Sequence, residues 1–413
     1  MTQAANPSPG RAYAPDGPHS WFRLGIAMLL GTIGSVGMWA IVVMLPAAQA
    51  EFGVGRGEAS LPYTLTMVGF AIGNVVIGRF VDRMGVAVPV AVAAVVSAVG
   101  FVAAAWAPSI WMLAAAQLLI GIGTAATFGP LMADVSRWFE KQRGIAVAAS
   151  ATGNYLAGAI WPFVVQYGLE NGGWRTTSMG IGLFCVVTIV PLAMLLRGRA
   201  PEPAGGAGAV PKPKFTIDLS NRALLVLLIV AGFACCMAMA MPQVHIVAYC
   251  ADLGFGVARG AEMLSLMLAA GIVSRLASGY VADRIGGVKT LLIGSVLQGL
   301  SLLLYIPFDG LASLYVVSFV FGLSQGGIVP CYAIIIREYL PPREAGERIG
   351  IVIMATIAGM AVGGWASGVI YDWTGSYAAA FLNGIAWNLV NAAVMVAILM
   401  RTRTRRETAL AAA

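Results

Sequence analysis

Twelve long apolar runs joined by short polar segments leave this sequence few ways to fold. They fall at about residues 24–46, 59–80, 86–107, 109–136, 143–168, 175–196, 223–250, 259–281, 288–307, 310–336, 349–371 and 377–400. A helix of about 20 apolar residues crosses the roughly 30 Å hydrocarbon core of a bilayer, and only helices and closed barrels satisfy their own backbone groups there. The expected fold class is therefore an all-α membrane protein with twelve transmembrane helices. Composition agrees, since 10% of residues are charged where soluble domains carry roughly 25%.

The net charge of +7 would fit a nucleic-acid binder, but its placement fits a membrane. With the N-terminus in the cytoplasm, 21 of the 25 Lys and Arg residues fall in cytoplasmic segments, against Arg56, Arg175 and Arg259 on the opposite side. The positive-inside rule then sets a multi-pass protein in the cell inner membrane with both termini cytoplasmic. Its expected partners are the lipid bilayer and a small solute, not nucleic acid, and a monomer is expected.

Residues 1–20, rich in Pro, Gly and Ala, read as a disordered lead-in. Ala48-Gln49-Ala50 mimics a signal-peptidase site, but the preceding run is too long for a signal peptide and reads as a retained first helix. The stretch 197–220 has the Pro- and Gly-rich composition of a flexible linker between bundles 21–196 and 221–400, with a tail at 401–413.

The two bundles read as copies. Asp82-Arg83-Met84-Gly85 returns 201 residues later as Asp283-Arg284-Ile285-Gly286, and Gly121 returns as Gly322; Pro130 and Arg137 return as Pro330 and Arg337 at a spacing of 200. Ordered coincidences at a nearly constant offset indicate parallel duplicated units of six helices, with the substrate path between them.

The segments Gly78-Arg79-Phe80-Val81-Asp82-Arg83-Met84-Gly85 and Gly279-Tyr280-Val281-Ala282-Asp283-Arg284-Ile285-Gly286 resemble the G-x-x-x-D-R-x-G loop of the major facilitator superfamily. The resemblance implies that Gly78, Asp82, Arg83, Gly85 and their mates Gly279, Asp283, Arg284 and Gly286 form conformational-switch motifs. In such a motif, glycine allows close helix packing and a charged pair forms in one conformer and parts in the other. A narrower resemblance rests on Gly121-Ile122-Gly123, Gly129-Pro130, Trp138 to Ala146, Gly173-Trp174-Arg175 and Tyr371-Asp372-Trp373-Thr374-Gly375-Ser376-Tyr377. These are similar to the bacterial monocarboxylate and oxalate:formate antiporter-like branch, which implies transport of a small organic anion.

One cation is left inside an apolar run. Arg275 lies eight residues before Asp283, about 12 Å up the eighth helix at roughly 1.5 Å per residue. A mid-membrane Arg costs at least about 2.5 kcal/mol on insertion scales, so something must offset it. Gly271, Ser274, Ser278 and Ala282 on its face leave room for a ligand or a close helix, and no acidic residue lies within one turn. A guanidinium without a counterion suits two-point capture of a carboxylate, and the resemblance implies a substrate-binding arginine on this helix. The alternative is snorkelling or a bond to backbone carbonyls.

Two departures from the resembling families matter. Vertebrate-type monocarboxylate transporters have an acidic residue one turn before this arginine and a lysine on the first helix, where this chain has Gly271 and no lysine between Arg23 and Glu51. The oxalate:formate exchanger adds a basic residue on its eleventh helix, and this chain has none between Arg348 and Arg401. A single cation fits a monoanion better than a dianion.

Further polar residues at bundle depth, Asn74, Gln117, Asn154 and Tyr332, complete the candidate substrate site, although helix–helix hydrogen bonding suits them equally. Asn74 is the repeat mate of Arg275 and is expected at equal depth on the opposite wall. His245, in the outer third of the seventh helix with Tyr249 and Asp252 on the same face, is a proton-coupling candidate or a hydrogen-bonded packing group.

The five cysteines lack metal-ligand spacing, and the sequence contains no Ser-His-Asp set or phosphate loop, so neither an enzyme nor a cofactor is expected. The reading is secondary active transport of a monocarboxylate by alternating access, proton-coupled or by exchange. Its rivals are an exporter of uncharged or cationic organic compounds and a non-transporting sensor with the same fold.

Overall fold

The computed structural model describes residues 15–198, 215–341 and 345–404. Arg11, Arg199, Lys212, Lys214, Arg343, Arg405 and Arg406, with the Pro201–Gly208 stretch, lie outside the described residues. The helices of the first half are α1 (Pro18–Gly34), α2 (Val36–Phe52), α3 (Arg56–Met84), α4 (Ala87–Ala105), α5 (Ile110–Ala125), α6 (Gly129–Trp138) and α7 (Arg143–Met194). A strand β1 (Phe215–Ile217) leads into α8 (Asn221–Asp252), α9 (Val257–Ile285), α10 (Gly287–Leu304), α11 (Leu311–Gln325), α12 (Ile328–Tyr339), α13 (Ala345–Thr374) and α14 (Tyr377–Arg401), followed by β2 (Thr402–Thr404).

These helices make twelve spans. α1 and α2 form one span bent at Ser35, and α5–α6 and α11–α12 form the fourth and tenth spans, each interrupted near its middle. α7 is two spans joined at Gly173, whose φ of 73° and ψ of 169° turn the chain sharply in a region that glycine tolerates best. Local chemistry sets the other ends: Ser109, Ser220 and Ser376 cap α5, α8 and α14 by accepting from Met112, Ala223 and Ala378 amides.

The duplication is visible in the packing. A methyl group added at Gly121 would collide with the carbonyl oxygen of Thr66, and one at Gly322 would collide with that of Met267, its counterpart 201 residues on. Gly85 (φ 79°, ψ 174°) and Gly286 (φ 86°, ψ 159°) close α3 and α9 with the same backbone turn. Small residues recur because helix backbones meet there, and in lipid such close approach supplies much of the cohesion.

The halves meet along α3 with α13, α7 with α9, and α2 with α8. Glycines bring α13 against two neighbours: Gly359 and Gly363 lie on the Phe233 and Met237 carbonyls, and Gly364 and Gly368 lie on Tyr63 and Arg56. All five cysteines are buried and free.

Some residues assigned by composition to disordered segments are ordered. α1 begins at Pro18, and the Asp16 carboxylate accepts from the amides of Glu140, Lys141 and Gln142, chiefly Lys141, which holds it below its ordinary pKa. Strand β1, at the end of the linker stretch, pairs antiparallel with β2 of the tail, and the Phe215 ring lies tilted against that of Tyr339, centroids 5.4 Å apart. Local composition could not reveal these contacts, since each is made with a distant segment.

Candidate functional site

α9 carries Arg275 to the seam between the halves. One turn earlier, Gly271 leaves a gap that the ring of Tyr155 on α7 fills; a side chain there would strike the ring. On the other flank, the backbone at Gly326, where the tenth span breaks, lies directly on the Gly271 carbonyl. The small face that sequence left open for a ligand or a close helix thus receives two close elements.

That packing fixes the guanidinium. Its Nε donates to the Gly326 carbonyl at 3.3 Å and its Nη1 to the Ala151 carbonyl at 3.0 Å, while Cζ lies 4.1 Å from the Tyr155 ring centroid. Gly326 belongs to its own half; Ala151 and Tyr155 belong to the other. Carbonyl dipoles and an aromatic face stabilise the cation without neutralising it. Among the described residues no carboxylate pairs with Arg275. It is half-buried, so part of its five-donor fork stays open.

The other candidates disperse around this centre. Asn154, one residue before Tyr155, donates from Nδ2 to the Met38 sulfur at 3.2 Å, and its carbonyl accepts from Trp39 Nε1. Asn74 donates to the Phe70 carbonyl within its own helix, and its amide oxygen lies against Gly129, so its contacts are inside the first half. Gln117 accepts from Thr66 Oγ1 at 3.0 Å, and the Tyr332 hydroxyl donates to Asn391 Oδ1 at 3.0 Å. Both are buried within one half.

His245 is fully buried between α8, α13 and α14. Its Nε2 lies 2.8 Å from the Gly364 carbonyl, which makes Nε2 the donor and leaves Nδ1 3.4 Å from the Tyr377 hydroxyl. In the first switch motif Asp82 pairs with Arg137, at exposed positions in the same half. In the second, Arg284 lies over the ring of Tyr280 at 4.1 Å, and the Gly287 amide beside Gly286 donates to Glu338. Sequence reasoning missed Tyr155, Ala151 and Gly326, and no spacing could have linked them to Arg275.

Among the described residues no group of His, Cys, Asp and Glu has the geometry to hold a metal ion. What the arrangement offers is an oriented cation at mid-span between the two bundles.

The sequence matches the Major Facilitator Superfamily over residues 27–287 and 252–413. The chain belongs to that superfamily. It is similar to "Monocarboxylate transporter 13" of Bos taurus, at 26% identity over 94% of this chain and 91% of the relative. It is also similar to "Uncharacterized MFS-type transporter YcxA" of Bacillus subtilis (strain 168), at 27% identity over 81% and 84% of the two chains. Among solved structures it resembles the inward-facing, occupied conformation of a bacterial homolog of the human lysosomal transporter Spinster, with a TM-score of 0.74, 12% identity and coverage of 94% and 98%. This facilitator is a multi-pass membrane transporter of a small molecule.

Proposed function

We propose that this facilitator is a secondary active transporter that moves a small organic monoanion, a monocarboxylate, across the cell inner membrane by alternating access, with Arg275 binding the carboxylate. The observation that carries this reading is the position of Arg275: a guanidinium at the seam of the halves, oriented by two carbonyls and, among the described residues, paired with no carboxylate. A substrate carboxylate supplies the missing counter-charge. One cation balances one anionic charge, which favours monoanions over dianions.

The seam gives the cation a part in the cycle. Its bond to Ala151 crosses from one half to the other, so rocking of the halves changes what surrounds the bound anion. Asn154 stands beside this seam, and Asn74, Gln117 and Tyr332 stiffen the walls around it. Both termini are cytoplasmic in this reading, the unit is a monomer, and the driving ion is a proton, with His245 as coupling candidate, or a counter-anion in exchange.

Proteoliposomes holding the purified protein, offered labelled mono- and dicarboxylates with and without an imposed pH gradient, test the proposal. Saturable uptake of monocarboxylates, competed by other monocarboxylates and not by their amides, is expected. Transport of neutral or cationic compounds with no uptake of any acid would overturn it.

A further inference from the structure

At the ends of the spans opposite the termini, the outer ends, the halves are tied by three charged residues. Arg56, at the start of α3, donates from Nη2 to both carboxylate oxygens of Asp252 at 2.8 Å. Asp372, near the end of α13, accepts from the backbone amides of Arg56 and Gly57 at 2.7 Å each. The N-cap residue of α3 is Gly55, with no side chain to serve its free amides. The first turn of a helix carries unpaired N–H groups and a partial positive charge. In this chain the carboxylate that satisfies them comes from the other half.

The repeat shows what is special about these positions. Glu51-Phe52-Gly53-Val54-Gly55-Arg56 recurs 201 residues later as Asp252-Leu253-Gly254-Phe255-Gly256-Val257. Glu51 is held inside its own half by Arg175, with Nη2 at 2.6 Å, and by Trp174 Nε1 at 2.6 Å. Gly173 (φ 73°) and Gly375 (φ 67°) make the matching turns, 202 residues apart, so the mate of Arg175 is Tyr377; Asp252 lacks that internal arginine and binds Arg56 across the seam. The mate of Arg56 is the apolar Val257, and the mate of Asp372 is Glu170, which accepts from Gln166 on its own helix. Each departure from symmetry exchanges a contact within a half for one between halves, or removes a competing one.

We propose that Asp372 and the Arg56–Asp252 pair form an outer lock that holds the two halves closed on this side and parts when the outer mouth opens. The lock is built to part. The Asp252 side chain is 31% exposed beside a hollow of about 350 Å³ that also touches Arg56, so water can replace the ion pair. The reading depends on alternating access and not on Arg275 or the substrate.

Paired spin labels attached through Trp106→Cys and Phe308→Cys, exposed at the outer ends of the two halves, report the opening as a distance, the native cysteines being buried. In wild type a short distance should dominate. Asp372→Asn and Arg56→Gln should each raise the ratio of long to short distances by about fivefold or more, whereas Arg56→Lys stays near wild type. Glu51→Gln, which cuts only a contact within one half, should leave the ratio unchanged. If Arg56→Gln does not yield monodisperse protein, Asp252→Asn reads the same pair from its wetter side. Unaltered distances in the lock variants, or an equal shift in Glu51→Gln, would overturn the proposal.

Discussion

The guanidinium of Arg275 lies 4.1 Å from the ring of Tyr155, a contact that joins the eighth span to the fifth and so one half of the transporter to the other. Such a contact is worth about 0.5–2 kcal/mol. It sets the plane of a cation that meets no carboxylate among the described residues, the state in which a carboxylate gains most by binding.

Replacing the ring tests that role. Tyr155→Phe keeps the aromatic face and should bind acid substrates nearly as wild type does. Tyr155→Leu should weaken them by about 2- to 30-fold, with neutral amide analogues unaffected. Calorimetric titration of both variants separates loss of the aromatic face from loss of the hydroxyl.

The packing glycines carry a stability prediction. Gly121→Ala and Gly322→Ala each drive a methyl into a backbone carbonyl, whereas Gly180 has open space around it. Overpacking of this kind costs about 1–3 kcal/mol. Thermal unfolding in detergent should show both variants destabilised to a similar degree and Gly180→Ala close to wild type. A large difference between the first two would mean that the duplicated packing is not energetically equivalent.

The topology rests on the distribution of 25 basic residues. Reporter fusions at residue 210 and after residue 405 should both read cytoplasmic. A periplasmic signal at either position in a folded fusion would reverse the assignment of inner and outer ends.

His245 separates coupling from packing. Its ring nitrogens already face the Gly364 carbonyl and the Tyr377 hydroxyl. If it carries the coupled proton, His245→Gln should retain counterflow exchange and lose accumulation driven by a pH gradient. Gradient-driven uptake equal to wild type would assign the ring to the packing of α8 against α13 and α14.

Much of this architecture is legible in the sequence because lipid allows so few solutions. Apolar run length gives the twelve spans, and glycines where backbones meet, Gly121 with Gly322, or where a helix ends in a turn, Gly85 with Gly286, reveal the repeat. Arg275 stands out as a charge in an apolar run. Its surroundings do not, because Ala151 and Gly326 contribute carbonyls, which no side-chain identity records, and Tyr155 is one aromatic among many. The seam contacts of Arg56 and Asp372 are hidden for a related reason: each residue reads as an ordinary loop charge until the other half is placed beside it. The bends at Ser35 and Gly326 were equally silent, lying inside runs whose hydropathy is unbroken.

Arg275 itself carries the decisive prediction. Arg275→Lys preserves the charge but loses the planar fork, and the shorter reach of an ammonium cannot bond Gly326, Ala151 and a carboxylate together, so acid affinity should fall sharply. Arg275→Ala should abolish saturable binding. Truncating one member of a buried charged pair costs on the order of 2–5 kcal/mol, about 30- to 5,000-fold in affinity. A structural arginine would behave differently: loss of its carbonyl bonds would loosen the seam and weaken acid and amide ligands alike. Binding of a monocarboxylate and its neutral amide to monodisperse wild type and both variants therefore decides between the two roles. Anchoring predicts a loss confined to the acid, and near wild-type acid affinity in Arg275→Ala would remove the carboxylate-anchor mechanism.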